Sequence, residues 1–230
     1  MDDWQALVAD LTWMGPPHHT GAATGPARPW DRSLPDWADD LAALLSTASV
    51  TPVEVDGRAW EIVGWDTAEE GRAGWLVPQQ ASAEAATSAG LHPDHTALVQ
   101  VLGGITERFG EPDDTWLVDT DESLTLATAL STARGVLDAY EWAWDDDGLT
   151  CPIRPAERDD WYAISREANG NLTLAHRTSG RVVLFAPDHA FDDVTVLDGC
   201  PEYSLYTRDG APDVRAWVNG VARQWRAGLS

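Results

Sequence analysis

Residues 161–185 constrain the fold more than any other stretch of this chain. Apolar and polar residues alternate there in three short runs, which are separated by Asn169-Gly170-Asn171 and Thr178-Ser179-Gly180. Short alternating runs joined by such residues predict an antiparallel meander with tight turns. The stretch has no nucleophile elbow, no glycine loop for phosphate and no paired metal ligands, so we expect scaffold and surface there. These features favour a binding protein over an enzyme.

The charge of the chain disfavours several function classes. The 230 residues include 38 Asp or Glu against 15 Lys or Arg, which gives a net charge of −23, and all 15 are Arg because the sequence contains no Lys. A phosphate-binding loop, a pyridoxal enzyme and a protein kinase each need a Lys, so these three classes are disfavoured. Nucleic acids and anionic membrane surfaces repel such a polyanion. The acidity serves either solubility or complementarity to a basic protein partner, and the sequence leaves both open.

Size and aromatic content predict a folded chain with a substantial core. Hydrophobic residues make up 43% of the sequence and 13 residues are Trp, which is enough apolar area to offset the entropy of ordering the chain.

Cys151 and Cys200 lack metal-binding spacing, so they are either buried thiols in a reducing compartment or a disulfide. The first residues contain no basic segment followed by a long apolar run. We therefore expect neither a signal peptide nor a membrane span, and a cytoplasmic protein.

Apolar periodicity predicts the remaining elements. In the first ninety residues it indicates a helix over 3–13, an exposed loop over 15–29, a helix after Pro35, a hairpin over 53–65 around Asp56-Gly57, a strand over 75–77 and an Ala- and Ser-rich bridge over 79–90. Further along it indicates a helix from His92 closing on Gly103-Gly104, a strand over 116–118, a long helix over 124–144, a loop over 187–193, a strand over 202–206 and a final helix with Trp217, Val221 and Trp225. Strands in two blocks with helices between them predict an α+β fold. We expect a central twisted, largely antiparallel sheet flanked by helices, with an N-terminal helical extension.

Several of these segments follow one another in an order known from a protein family. They are Gly103-Gly-Ile-Thr-Glu-Arg-Phe109, Trp116-Leu-Val118, Tyr162-Ala-Ile-Ser165 with Gly170-Asn-Leu-Thr-Leu-Ala175, Thr178-Ser-Gly-Arg-Val-Val183, Ala186-Pro-Asp-His189 and Ala222-Arg-Gln-Trp225. This order resembles the SUKH superfamily, which includes bacterial immunity proteins and a fungal regulator of cell-wall synthesis. The resemblance covers residues 90–226 and implies a single α+β domain over residues 1–230, with residues 1–89 as an elaboration. It further implies a domain that binds and neutralises a protein toxin or docks regulatory partners, without a shared enzymatic site.

Histidines are the candidate metal ligands. His92 and His95 are three residues apart at a predicted helix start, and with His18 and His19 they could form a zinc site. Pro93 and Asp94 already explain the stretch as helix initiation. We therefore expect no metal and no cofactor.

A hydrolase is the enzymatic alternative. Asp188 and His189 could act as an acid/base pair with Ser165 or Ser204 as the nucleophile. No Gly-x-Ser-x-Gly elbow supports this arrangement, and adjacent residues on an extended chain point to opposite faces.

Acidic clusters and one tryptophan are the candidate partner-binding residues. The clusters are Asp113-Asp114, Asp119 with Asp121-Glu122, Asp145-Asp146-Asp147, Asp159-Asp160 and Asp192-Asp193. They are either solvated loop polarity or a face that receives Arg and Lys side chains of a partner. Trp142 and Trp144 flank Ala143 and cannot share a helix face, so one of them is exposed or at an interface. The residues assigned to partner binding are Asp145, Asp146, Asp147, Asp159, Asp160, Asp188, His189 and Trp144.

These observations together predict a non-enzymatic binding protein of the immunity type. It would neutralise a basic toxin by steric and electrostatic occlusion. A regulatory or structural interaction protein without a toxin is the first alternative, and the hydrolase is the second.

Overall fold

The computed structural model describes residues 2–11, 20–68, 71–112, 115–117, 120–188 and 192–230, which form an α+β fold. Its helices are α1 Asp3–Leu11, α2 Asp39–Leu45, α3 Ala83–Ser88, α4 Pro93–Val99, α5 Ala133–Tyr140, α6 Trp142–Asp146 and α7 Val214–Gly228. Its strands are β1 Gly21–Ala23, β2 Arg28–Pro29, β3 Ser49–Val55, β4 Arg58–Asp66, β5 Arg72–Pro78, β6 Glu107–Phe109, β7 Thr120–Ser123, β8 Trp161–Glu167, β9 Leu172–His176, β10 Val182–Phe185, β11 Val194–Val196 and β12 Leu205–Arg208. The α+β class with antiparallel strands is confirmed, and the strands form two sheets rather than a single central one.

The first sheet contains β1 to β6. Its strand order is β1-β3-β4-β5-β6, and β2 pairs with β3 beside β1. The predicted hairpin is confirmed: β3 and β4 meet at Asp56-Gly57, whose φ angles of 48° and 75° suit a tight two-residue turn. Helix α1 covers one face of this sheet, where Leu7 packs in a cluster with Ile62 and Phe109.

The second sheet contains β7 to β12 in the order β11-β12-β10-β9-β8-β7. The predicted meander is β8, β9 and β10, joined at turns in which Gly170 and Gly180 have φ angles of 98° and 69°. Only glycine adopts such angles at low cost, which explains the turn signals in the sequence. β7 extends the meander on one side and β12 extends it on the other.

A shared core joins the two sheets. It combines Trp65 and Trp75 of the first sheet, Tyr162 and Ile164 of the second sheet, and residues of α2, α4 and α7. Trp225 of α7 lies at the centre, with its ring centroid 5.2 Å from that of Trp75 and 5.9 Å from that of Trp65. The predicted apolar stripe of the last helix is therefore confirmed. No helix in the described part of the chain has the length and apolar character needed to cross a membrane.

An outer cluster covers the opposite face of the second sheet. It contains Trp144, Trp161, Leu174, Val183 and Phe185, and it lies beneath α5 and α6. The second sheet is therefore packed on both faces, and α5 and α6 form its outermost layer.

The division into residues 1–89 and 90–226 stays a prediction, but the packing crosses it. β6, which follows residue 90, pairs with β5 and so completes the first sheet. α7 packs against α2, where Asn219 Oδ1 accepts a hydrogen bond from the backbone N–H of Asp40 at 3.1 Å. The N-terminal residues thus share a core with the rest of the chain.

Two stretches in the first ninety residues are more regular than predicted. Within the expected loop over 15–29, Gly21–Ala23 and Arg28–Pro29 pair with β3 as short edge strands, because the main-chain groups at the edge of β3 need partners. Residues 12–19 lie outside the described residues. The bridge over 79–90 contains α3, whose N-cap Ser82 accepts a hydrogen bond from the N–H of Ala85 at 3.1 Å.

Three predictions in the second half are wrong in extent. The long helix over 124–144 is instead a 3-10 turn followed by α5 and α6, because Leu124 has a φ of 60° and Thr132 bridges to Tyr162 of β8. Trp116 and Leu117 form a turn in place of a strand, and Val118 lies outside the described residues. The strand expected over 202–206 is β12, which is shifted to Leu205–Arg208.

Candidate protein-binding surface

The acidic residues assigned to partner binding occupy separate parts of the molecule. Asp145, Asp146 and Asp147 are exposed at the end of α6. Asp160 precedes the first residue of β8, whereas Asp188 follows β10 and accepts a hydrogen bond from Asn169 at 3.4 Å, beside the turn after β8. The seven residues of β8 separate these ends by roughly 23 Å at about 3.3 Å per residue. The set therefore does not form one site, and His189 lies outside the described residues.

Asp159 is exposed but is already paired with an arginine. Both of its carboxylate oxygens accept hydrogen bonds from Arg134 Nε at 2.8 Å. This ion pair connects the start of α5 to the segment before β8. Exposed pairs of this kind contribute little to stability, but the carboxylate already has a cation.

Trp144 is buried, so its assignment to partner binding is wrong. Its exposed fraction is 1%, and it packs in the outer cluster beneath α6. Trp142, two residues earlier, is 56% exposed. The expectation that the two rings take opposite sides is confirmed, and the outward ring belongs to Trp142.

Trp142 lies on the same side of α6 as two carboxylates. Asp145 and Asp146 follow it by three and four residues, which places all three side chains on one helical face. The ring of Tyr140 packs edge-on against that of Trp142, with centroids 5.0 Å apart. We call Tyr140, Trp142, Asp145, Asp146 and Asp147 the α6 surface.

Tyr140 connects the α6 surface to the core. Its ring centroid is 5.5 Å from that of Phe185 and 6.2 Å from that of Trp144, both in the outer cluster. The ring of Trp142 therefore packs against Tyr140, whose own ring packs against the buried rings of Trp144 and Phe185. An exposed aromatic side chain supported in this way loses little entropy when a partner covers it.

A buried arginine joins α5 and the start of α6 to the segment before β8. Arg158 is 1% exposed, and its guanidinium donates hydrogen bonds to Asp138 of α5 and to Glu141, which separates α5 from α6. The same group donates to the carbonyl oxygen of Ile153 at 3.4 Å. These contacts hold the segment that carries the α6 surface in one position.

The carboxylates of the α6 surface form no ion pair with an arginine among the described residues. Twelve of the 15 arginines form ion pairs with carboxylates elsewhere, namely Arg28, Arg32, Arg72, Arg108, Arg134, Arg154, Arg158, Arg166, Arg208, Arg215, Arg223 and Arg226. None of these pairs involves Asp145, Asp146 or Asp147. The three carboxylates therefore remain available to an external cation.

The candidate zinc ligands have other partners. His95 is fully buried in α4, where Nε2 donates to the carbonyl oxygen of Leu124 at 3.0 Å and Nδ1 accepts from the hydroxyl of Tyr162 at 3.2 Å. Burial lowers the pKa of His95 to about 4, so the ring is neutral near pH 7. His92 caps α4, since its Nδ1 accepts a hydrogen bond from the N–H of Asp94 at 3.3 Å.

Metal-ligating groups do not converge in the described ranges. Within them, no set of three or more His, Cys, Asp or Glu side chains is arranged to hold a metal ion. His18 and His19 lie outside the described residues.

The serines of the hydrolase alternative are engaged by neighbours. Ser165 is 2% exposed, and its Oγ lies 2.8 Å from Oγ of Ser123 on the adjacent strand. Ser204 Oγ donates to the carbonyl oxygen of Pro201 at 2.5 Å. A nucleophilic serine needs a hydrogen bond to its general base, and these hydroxyls instead bond to a second hydroxyl and to a carbonyl.

The two cysteines are free thiols. Both contact the outer cluster, with Cys151 buried and Cys200 partly buried. Burial raises the pKa of Cys200 to about 11 and also raises the pKa of Cys151. Both thiols are therefore protonated near pH 7 and are poor nucleophiles.

Comparison with known proteins identifies no relative. No family model, no curated protein and no solved structure matches this chain. The function is therefore argued from the surface itself.

Proposed function

We propose that this chain is a non-enzymatic protein-binding module that docks a basic protein on the α6 surface. The observation that carries the proposal is the exposed Trp142 beside three carboxylates that have no cation among the described residues. Trp is among the most frequent energetic anchors of protein interfaces. Carboxylates accept charge-assisted hydrogen bonds from Arg and Lys, which are stronger than neutral ones.

The acidic charge and the exposed Trp142 would act at different stages of binding. The net charge of −23 attracts a basic partner over a distance, and Asp145 to Asp147 orient it near the surface. Trp142 would then insert into a pocket of the partner and slow dissociation. Neither stage requires a chemical step.

The finer part of the proposal is that the partner is a toxin and that binding occludes it in the cytoplasm. The resemblance of residues 90–226 to a family with immunity proteins supports this, as does the acidity suited to a basic toxin domain. A regulatory partner without toxicity would use the same surface. The two versions differ only in what the partner does when it is alone.

Site-specific crosslinking tests where the partner docks. In one variant, expressed in the native cell, a photoreactive phenylalanine analogue replaces Trp142. In a control variant of the same chain, the analogue replaces Arg58, an exposed position on the first sheet. We expect position 142 to capture a basic protein that position 58 does not capture. Equal capture at both positions would contradict docking on the α6 surface.

Association kinetics with the captured protein test the role of charge. Replacing Asp145, Asp146 and Asp147 with Asn should slow association about tenfold at low salt and flatten its salt dependence. The matched control replaces Asp36, Glu54 and Glu84, three exposed carboxylates outside α6, with their amides. Because the net charge changes equally, an equal effect in the control would show that only total charge matters.

Growth assays separate the two versions of the proposal. The captured protein is expressed alone, with the native chain and with the Trp142→Ala variant. Growth arrest that the native chain relieves and the variant relieves poorly would support a toxin. A partner that leaves growth unchanged would favour the regulatory module.

A further inference from the structure

A pocket opens on the outer face of the second sheet, and none of its lining residues belongs to the α6 surface. Its volume is about 190 Å³. Five of its eight lining residues are apolar, among them Trp161, Val183 and Leu197. The polar groups of Glu157, His176 and Arg181 form at least as much of the exposed wall. The pocket lies where the outer cluster reaches solvent.

The β-sheet register places three of these side chains in a row. Trp161 of β8 pairs with His176 of β9, and the N–H of His176 donates to the carbonyl oxygen of Arg181 at 2.9 Å, where the β9–β10 hairpin closes. Cross-strand neighbours have Cβ atoms about 5 Å apart. The rings of Trp161 and His176 meet edge to face, with centroids 5.1 Å apart.

Local hydrogen bonds assign the proton of His176. Its Nδ1 accepts from the N–H of Ser179 at 3.1 Å and from that of Thr178 at 3.3 Å. A neutral imidazole whose Nδ1 is an acceptor carries its hydrogen on Nε2. His176 therefore offers one N–H donor from its other ring nitrogen.

The unbalanced charge of this pocket is positive. Arg181 is exposed and forms no ion pair with a carboxylate in the described part of the chain. Glu157 is the acidic group in the wall, and it already pairs with Arg154, which lowers the pKa of Glu157. Arg181 is one of three arginines without an ion pair to a described carboxylate, in a protein with 38 acidic residues, and of these three it is the one that lines the pocket.

We propose that this pocket binds a small organic monocarboxylate whose other end is aromatic or branched aliphatic. The carboxylate would accept hydrogen bonds from the guanidinium of Arg181, which matches it with two parallel donors, and from the N–H of His176. The apolar end would cover Trp161 and Val183. The volume is below the roughly 300 Å³ at which pockets for drug-sized ligands begin, so the ligand has about ten non-hydrogen atoms.

Calorimetric titration with phenylacetate tests the proposal on the full chain. Phenylacetate has the required charge and size, phenylacetamide removes the charge at constant shape, and benzylamine reverses it. We expect saturable binding of phenylacetate at one site and binding at least tenfold weaker for the other two compounds, the discrimination typical of a charge-assisted contact. No saturation by phenylacetate at concentrations on the order of 10 mM, beyond the range expected for a ligand of this size, would overturn the proposal, as would equal or tighter binding of benzylamine.

Arginine variants locate the site. Arg181→Gln should weaken phenylacetate binding at least tenfold, whereas Arg58→Gln, the same charge change at another exposed arginine without a carboxylate partner in the described part, should leave it unchanged. Glu157→Gln should leave binding unchanged or tighten it because it removes a negative charge from the wall. An equal loss in both arginine variants, or a loss in Glu157→Gln, would contradict a carboxylate held by Arg181.

Discussion

Helices α7 and α6 both carry two tryptophans, and the structure uses them differently. In α7, Trp217 and Trp225 have no exposed surface, because the helix lies in the shared core between residues of both sheets. In α6, Trp144 is buried in the outer cluster, whereas Trp142 is 56% exposed. Tryptophan therefore builds only core in α7, whereas in α6 it contributes one buried ring and one surface ring.

The difference follows from how much of each helix is covered. α7 has 15 residues, and its first turn is capped by Asp213, which accepts a hydrogen bond from the N–H of Ala216 at 2.9 Å. α6 has five residues, contacts the sheet on one side only and ends among carboxylates. A tryptophan on its outer side has no layer above it, which is why we place the interface there.

The largest effect is expected from removing a ring at the centre of the shared core. Trp225→Ala should lower the free energy of unfolding by about 3 to 5 kcal/mol, the usual cost of truncating a buried aromatic residue. The ring contacts Trp65 and Trp75, so its loss leaves a cavity between α7 and the first sheet. Urea unfolding followed by circular dichroism measures the change. A loss below about 1 kcal/mol would show that α7 is peripheral.

The sequence predicted those elements whose signals are local. The Asp56-Gly57 turn, the meander over 161–185 and the stripe of α7 are each encoded by turn residues or periodicity within one segment. Prediction from the sequence was wrong where contacts between distant segments decide the conformation, as in the single helix expected over 124–144. Leu124 adopts a left-handed φ because its N–H donates to the carbonyl oxygen of Ile164 in β8, and no neighbour in sequence signals that contact.

The candidate site was predictable only in part. Spacing alone indicated that Trp142 and Trp144 lie on opposite sides of a helix, but not which side faces the sheet. That choice depends on the outer cluster, to which β8, β9 and β10 contribute. The pocket at His176 and Arg181 was missed, although both residues flank the predicted turn at Thr178-Ser179-Gly180. The available signal was that His176 and Arg181 lie on either side of this turn, so that the β9–β10 hairpin brings them together next to the apolar strand β10.

Mild acid should weaken the shared core through His95. The pKa of buried His95 is about 4 in the folded protein and about 6.5 in an unfolded chain. As the pH falls, His95 is protonated in the unfolded state before it is protonated in the folded state. The free energy of unfolding therefore keeps its full contribution from neutral His95 above pH 6.5 and loses it as the pH falls towards 4. The loss should reach about 3 kcal/mol from this group.

A His95→Gln variant isolates this contribution. All other titrating groups are common to both proteins, so the difference between their stability profiles from pH 7 to pH 4 reports His95. We expect a smaller decline in the variant, because a glutamine side chain can bond to Leu124 and Tyr162 without titrating. Parallel profiles would show that the ring is protonated in the folded state without penalty.

The smallest effect on stability is expected at the exposed ring. Trp142→Ala should lower the free energy of unfolding by about 0.5 to 1.5 kcal/mol, because more than half of the side chain is exposed and its main loss is the edge-on contact with Tyr140. Trp144→Ala, two residues away in the same helix, serves as the control and should cost about 3 to 5 kcal/mol. If the two variants were equally destabilised, Trp142 would be a structural residue. A stable Trp142→Ala protein that loses its partner would instead assign the ring to the interface.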